Sequence, residues 1–430
     1  MTGALIGFGV LFTLTFLGVP LVASLLLVGF GGFAIYRGFG AAEAVVGQQF
    51  FDAMSSYGFS VIPLFVLMGA FIQRGGLADD LFALARACLG HLRGGIAHAT
   101  IGASGAFAAV CGSSVAAAAT MSRVAIPQLR RYNYEVGFAG GTVAAGGTLG
   151  ILIPPSVPLV IFGILTETDI AALFMAGILP GILLALFYMV TAWLMVFLRP
   201  GLGMRADRQP WIERLEAFKK TLPIVGLFLL VLGGIYWGFF TPTEAGAVGA
   251  AGAFGLMAMR GKADLKNIID ALSEAVLTTT AILVTMSASL VFNNFLTITG
   301  LTGQLINWVQ SYAAVPLMVI LTICLIYIVL GAVFDSLAAM ILTVPVLTPL
   351  VASLGYDPVW FGILVVVAVE LGLITPPMGM NVFIVQRHTP GVSIWTLFRG
   401  VTPYVVANLL LLGLLIVVPW FALAIPNLGF

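Results

Sequence analysis

Gly150-Ile151-Leu152-Ile153-Pro154-Pro155-Ser156 and, 222 residues later, Gly372-Leu373-Ile374-Thr375-Pro376-Pro377-Met378 are the stretches whose reading decides the fold. Each lies in the middle of a long apolar run. Proline removes an amide donor and clashes with the preceding helical turn, so both runs are predicted to break into half-helices. Unpaired backbone groups are costly in lipid, and a broken helix persists there only where its freed carbonyls and amides line a cavity or hold an ion. A matched pair of breaks therefore points to a transport site.

The surrounding composition agrees. Of 430 residues, 61% are hydrophobic and 8% charged, and the mean hydropathy is +1.13. This balance lies far outside that of a soluble domain. Runs such as Ala171 to Leu198 and Val401 to Leu423 can cross a hydrocarbon core of roughly 30 Å as helices, and the lack of period-two alternation argues against a β-barrel. A net charge of +1 gives no field that would attract nucleic acid. Cys88, Cys111 and Cys324 sit in apolar surroundings without paired spacing and read as packed hydrophobes, with no disulfide or metal site. The N-terminus has no basic segment or small-residue cleavage site, so its apolar run is expected to be a retained span. No G-x-x-x-x-G-K-[ST] motif is present to drive pumping by nucleotide within the chain.

The two breaks belong to an internal repeat. The 222-residue offset also joins Pro20 to Pro242, Ser114 to Ser336, Pro127 to Pro349, Tyr134 to Tyr356 and Gly140 to Gly362. The chain is thus expected to be an all-α polytopic membrane protein of two repeats, 1–200 and 222–430, joined by a basic linker at 201–221. In each half two short spans (1–17 and 20–36; 223–239 and 242–259) precede an interfacial arm (41–57; 263–277) and a third span (58–74; 278–298). A re-entrant hairpin (95–129; 315–352), the broken helix (136–166; 358–386) and a last span (170–198; 401–424) complete the half. The hairpins meet at small polar tips, Cys111-Gly112-Ser113-Ser114 and Val333-Phe334-Asp335-Ser336, with Phe334 standing opposite Gly112 and Asp335 opposite Ser113.

Charge gives the orientation. Arg74, Arg86, Arg93, Arg130 and Arg131 flank the first hairpin, and the linker carries Arg199, Arg205, Arg208, Arg214, Lys219 and Lys220, so both regions are predicted to face the cytoplasm. From Asn267 through Gln386 there is no Lys or Arg, which places the second hairpin on the opposite side. The repeats are then inverted, with about five crossings each and the N-terminus outside. Arg37 is the exception to this charge pattern.

Crossed hairpins and breaks bring Ser113, Ser114, Asp335, Ser336 and the segments Gly150–Ser156 and Gly372–Met378 toward the bilayer midplane. Helix ends there offer carbonyls to a cation and amides to an anion. Single membrane serines often only hydrogen-bond a carbonyl one turn back, but symmetry-matched tips favour a site. Asp335, a carboxylate at depth, is a functional candidate by default. Glu370 has either a direct role or a structural one, as a paired or protonated carboxyl. Glu244, which follows a proline at a span start, reads as a cap. Arg123 could meet a substrate carboxylate or snorkel to the surface, and Asn293 and Asn294 could add ligands or pack an interface. His91, His98 and His388 share no metal-ligand spacing.

Gly112-Ser113-Ser114-Val115-Ala116, the first break, Thr241-Pro242-Thr243-Glu244-Ala245 and Glu370 through Gly379 together resemble the large membrane subunit of TRAP transporters, the DctM-like family, over nearly the whole chain. The resemblance implies a Na⁺-driven, elevator-type symporter of the bacterial inner membrane. It implies loading with a small organic anion (a C4-dicarboxylate, sialic acid or 2-oxo acid) by a periplasmic binding protein, and pairing with a smaller four-helix subunit, which is expected to be a separate chain. It further implies sodium sites near Gly112, Ser113, Ser114, Asp335, Ser336, Gly372 and Thr375. The anion is assigned to the breaks at Gly150, Pro154, Pro155, Ser156, Pro376 and Pro377. Ser156 is matched by Met378, so the half-sites need not be equal. A stand-alone dicarboxylate symporter of similar architecture is the nearer alternative. An intramembrane serine protease, suggested by Gly102-Ala103-Ser104-Gly105, is the remote one, since only His388 lies downstream as a base.

Sidedness is directly testable. In a Cys-free background, Ser114→Cys and Ser336→Cys are expected to react with impermeant thiol reagents from opposite sides of the membrane; labelling of both from one side in every trapped state overturns the inversion.

Overall fold

The computed structural model describes residues 2–311 and 315–429, so residues 1 and 430, the outer limits of the two expected repeats, lie outside the described residues. The first half contains α1 (Thr2–Phe16), α2 (Leu21–Arg37), α3 (Phe39–Ser55), α4 (Val61–Arg74), α5 (Leu77–Leu89), α6 (Gly95–Cys111), α7 (Ser114–Arg131), α8 (Val136–Leu152), α9 (Val157–Thr166) and α10 (Ile170–Leu198). The second contains α11 (Trp211–Tyr236), α12 (Pro242–Met259), α13 (Leu265–Ile298), α14 (Leu301–Ser311), α15 (Pro316–Val333), α16 (Ser336–Ser353), α17 (Pro358–Gly372), α18 (Met380–Arg387) and α19 (Ile394–Val417). The described residues contain no strand.

Pairwise packing follows the repeat. α2 lies on α13 as α12 lies on α4, and α6 lies on α8 as α15 lies on α17. The halves also cross: α9, beyond the first break, packs on the second hairpin helix α16, while α18, beyond the second break, packs on the first hairpin helix α7. Each break is thereby held by the other half.

Several details depart from the sequence reading. The first arm and span are separate because Ser56, Gly58 and Pro63 interrupt them; their counterparts run without Gly or Pro and form one 34-residue helix, α13. Helices α5 and α14, which lead into the hairpins, carry no counterpart in that reading. α5 begins with Asp79 and Asp80 and has Arg86 in its last turn, charges that complement the helix dipole. α11 starts at Trp211, inside the basic stretch read as a linker. Eight segments among the described residues are long and apolar enough to cross a membrane. They include α15 and α16, with 18 residues each, so length alone does not make the second hairpin re-entrant.

Close helix crossings depend on glycine. A methyl group on Gly372 would overlap the backbone of Gly331 and Ala332, and one on Gly331 would overlap the backbone of Val369. Backbone cannot move aside as a side-chain tip can. Gly372→Ala is therefore expected to force α15 and α17 apart and to destabilise the fold by about 1–3 kcal/mol, seen as a lower thermal unfolding midpoint in detergent; an unchanged midpoint contradicts the crossing.

Candidate functional site

Each hairpin tip stops one helix and starts the next within two residues. At the first, Gly112 adopts φ +63°, which suits glycine, and its N–H donates to Ala108 O at 3.1 Å. Ser113 is extended, and its Oγ accepts from the Ala116 N–H at 3.4 Å to cap α7. At the second tip Phe334 is extended at φ −109°, so the chain turns without needing glycine. Asp335 then caps α16 through Oδ2, which accepts from the Leu337 N–H at 3.2 Å.

The breaks are built differently from each other. After α8, Pro154 and Pro155 lead to Ser156, whose Oγ accepts from the Leu159 N–H at 3.5 Å and caps α9. In the second, Thr375 Oγ1 donates to Gly372 O at 3.1 Å, the Met378 N–H donates to Ala332 O at 3.2 Å, and Gly379 enters α18 at φ +54° without a side-chain cap. The Pro154–Pro155 and Pro376–Pro377 peptide bonds are both cis, a matched feature that the residue pattern alone does not reveal.

A cavity of about 130 Å³ opens between the tips. Gly112, Ser113 and Ser114 line it from one hairpin and Asp335 and Ser336 from the other, with Ile151, Val157 and Pro158 flanking the first break. Gly69 and Gln73 of α4 and Glu274 and Thr278 of α13 form the facing wall. The remaining candidates lie elsewhere. Gly150, Pro154, Pro155, Ser156 and Gly372 are buried, Thr375 is half-buried, and Pro376 and Pro377 are exposed. Gly150 instead packs on the first tip, where an added methyl would meet Ser113 O at 3.0 Å.

Two polar residues that the sequence reading missed enter here. Asn381, fully buried at the start of α18, donates through Nδ2 to Ser114 Oγ at 2.7 Å and to Ala144 O at 3.3 Å. A carbonyl partner fixes the amide orientation, so Oδ1 is left buried and, among the described residues, without a partner. The available signal was a lone amide just beyond the break, opposite Leu159 in the repeat. Glu274 reaches the cavity wall while its Oε2 accepts from Arg74 Nη2 at 2.9 Å, and Arg74 Nη1 also meets Asp270 at 3.4 Å. No motif marked it; the packing of α13 on α4 places it. Both charged groups lining the cavity, Asp335 and Glu274, are acidic.

Glu370 lies away from this cavity. It is 1% exposed, and neither carboxyl oxygen has a hydrogen-bond partner among the described residues. It sits beside Thr148, its repeat counterpart, whose hydroxyl meets Tyr188 OH at 2.9 Å. Glu244 forms a capping box with Thr241, and Arg123 is exposed. Asn294 bonds Leu290 O within its own helix. Ser104 is buried without a partner, and the rings of His98 and His388 are engaged with Gly94 O and Ile384 O.

Fold and cavity together define a helical protein with several segments able to span a membrane, two hairpins whose tips meet at a small polar cavity, and two broken helices. Comparison with known proteins then gives the family: the chain belongs to the DctM component of the tripartite ATP-independent periplasmic (TRAP) transporters, whose family model matches residues 8–421. It is 35% identical over 381 residues to the C4-dicarboxylate TRAP transporter large permease protein DctM of Pseudomonas aeruginosa, covering 88% of each chain. To the sialic acid TRAP transporter large permease protein SiaM of Vibrio cholerae it is 34% identical over 431 residues, covering 100% of this chain and 99% of that one. The crystal structure of the Alcanivorax borkumensis YdaH transporter shares the fold, with a TM-score of 0.64 at 17% identity, covering 91% of this chain and 90% of that one. The protein is thus a TRAP transporter large permease of the bacterial inner membrane and not an enzyme.

Asn381→Ala removes the donor shared by Ser114 and Ala144 and leaves both oxygens buried. It is expected to cost about 1–3 kcal/mol, measured as a lower unfolding midpoint. Equal stability of Asn381→Ala and the parent contradicts the contact.

Proposed function

We propose that the protein carries a small organic anion into the cytoplasm by Na⁺-coupled symport, with the hairpins and breaks moving as one body against α4 and α13. The cavity between the tips carries the proposal: Glu274 is already paired with Arg74, which leaves Asp335 as the carboxylate without a cation at the tips, so an organic anion enters best with cations that offset Asp335 and its own charge. The donor set suits Na⁺. Asn381 Oδ1 is an unpartnered buried oxygen beside Ser114, and Asp335 supplies a hard carboxylate at the other tip. Ser113, Ser114, Ser336 and the carbonyl of Gly112 would complete the coordination from the tips, with Gly372 and Thr375 behind the second. When bound, Na⁺ supplies positive charge that would otherwise be missing at depth.

The chain's own residues do the rest. Ser113 and Asp335 cap α7 and α16 and so direct backbone amides at the tips, where a carboxylate can accept them. The breaks at Gly150, Pro154, Pro155, Ser156, Pro376 and Pro377 shape the two sides of the anion path. The prolines of the first break are buried and those of the second exposed, the inequivalence expected of inverted halves that exchange environments. Relatives named for C4-dicarboxylate and sialic acid support an organic acid as cargo. Family membership supports a four-helix small subunit and a periplasmic binding protein as partners. Uptake that needs no binding protein would favour the stand-alone symporter.

Proteoliposomes containing the cognate subunits test the coupling: uptake should require a Na⁺ gradient and ignore ATP depletion once that gradient is clamped. Asp335→Asn keeps size and one carbonyl oxygen but loses the charge, so the apparent Na⁺ affinity is expected to fall by about tenfold, or about 1.4 kcal/mol. Substrate affinity at saturating Na⁺ should change little, although at low Na⁺ it weakens by linkage. An unchanged Na⁺ dependence with altered substrate affinity at saturating Na⁺ assigns Asp335 to the anion instead.

A further inference from the structure

The turn that follows α10, at the end predicted to face the cytoplasm, separates two cavities. The larger, about 790 Å³, lies between the start of α8, the end of α10 and the first half of α19, and Arg199 and Arg399 line it together with Met195, Leu198 and Thr396. The smaller, about 430 Å³, carries Arg93 and Arg205 on the other side of the same turn. All four arginines are exposed, and none belongs to an ion pair among the described residues. Glu135, the acid lining the larger cavity, is turned toward its own helix: Oε1 accepts from the Gly137 N–H at 3.1 Å and Oε2 from the Phe138 N–H at 2.7 Å. Two guanidinium groups therefore face this space against one carboxylate that is engaged as a helix cap, so positive charge is in excess.

The walls are rigid and their outer margin is apolar. Backbone meets backbone where α8 crosses α19, at Gly137, Gly141 and Gly400, so the cavity is bounded by a fixed seam. On α10 the Trp193 and Phe197 rings stack at 5.2 Å and stand 45% and 51% exposed. Trp395 on α19 is 64% exposed, and tryptophan at this level marks the headgroup region. Paired arginines at the surface above apolar helix faces match a ligand with a phosphate at one end and hydrocarbon at the other. A free phosphate would gain nothing from the apolar walls.

We propose that Arg199 and Arg399 bind the phosphate of an anionic phospholipid, such as phosphatidylglycerol, with its acyl chains lying on the outer faces of α10 and α19. The lipid contacts α10 and α19, which pack on the broken helix at α8, and not the α4–α13 wall. Its binding does not depend on the coupling ion or the cargo.

Native mass spectrometry of the full chain, in detergent with phosphatidylglycerol or acyl-matched phosphatidylcholine, tests the site. The parent is expected to retain phosphatidylglycerol preferentially, and R199Q/R399Q to lose about tenfold of that retention, while phosphatidylcholine retention stays the same. R199K/R399K should keep most of it, which separates lost charge from lost fold, and an unchanged unfolding midpoint serves as the control. If R199Q/R399Q unfolds, the single variants R199Q and R399Q are expected each to give an intermediate loss. Equal retention of phosphatidylglycerol by the parent and R199Q/R399Q overturns the proposal. Complete displacement of the lipid by millimolar inorganic phosphate also overturns it, in favour of a soluble-anion site.

Discussion

In hydrocarbon no water is present to satisfy a backbone amide or carbonyl that a helix leaves unpaired, and the prolines at 154, 155, 376 and 377 leave several such groups. The rest of the structure accommodates them. Ser156 caps the helix after the first break, Met378 ties the second to the carbonyl of Ala332, and each short helix beyond a break rests on the hairpin of the opposite half. The named hydrogen bonds lie within each half, while the helix beyond each break packs on the opposite half, and this packing ties the repeats into one body.

The glycines act on the same constraint from the packing side. Where α15 crosses α17, and where α8 crosses α19, main chains touch and leave no room for a Cβ. Such approach maximises dispersion contact between helices, the attraction that remains when lipid removes the hydrophobic driving force. Gly372 illustrates the consequence for function: the residue beside the second break is needed for the crossing whether or not its carbonyl also meets an ion.

Electrostatics divides the molecule into distinct regions. At the tips the charged lining is Asp335 together with Glu274, the latter paired with Arg74. Arg74 is occupied by Asp270 and Glu274, and Arg260 pairs with Asp80, which leaves these guanidinium groups engaged within the wall and the helix ends. Arg199 and Arg399, which line one cavity beside the turn after α10, belong to no ion pair among the described residues.

Much of this was legible in the residues themselves. Proline in an apolar run, a constant 222-residue offset and the one-sided distribution of Lys and Arg are local or periodic signals, and from them follow the helical class, the paired breaks and the hairpin tips. The capping role of Glu244 and the departure of Phe334 from Gly112 were also visible, although only the backbone shows why Phe334 is allowed: it is extended where Gly112 is left-handed. Tertiary structure alone decided that Asn381 meets Ser114 across the two halves, that Glu274 faces the tips, and that the prolines of the first break are buried while those of the second are exposed. These contacts join residues far apart in the chain through the angle at which helices cross. That angle depends on the summed packing of many side chains, and no single motif encodes it.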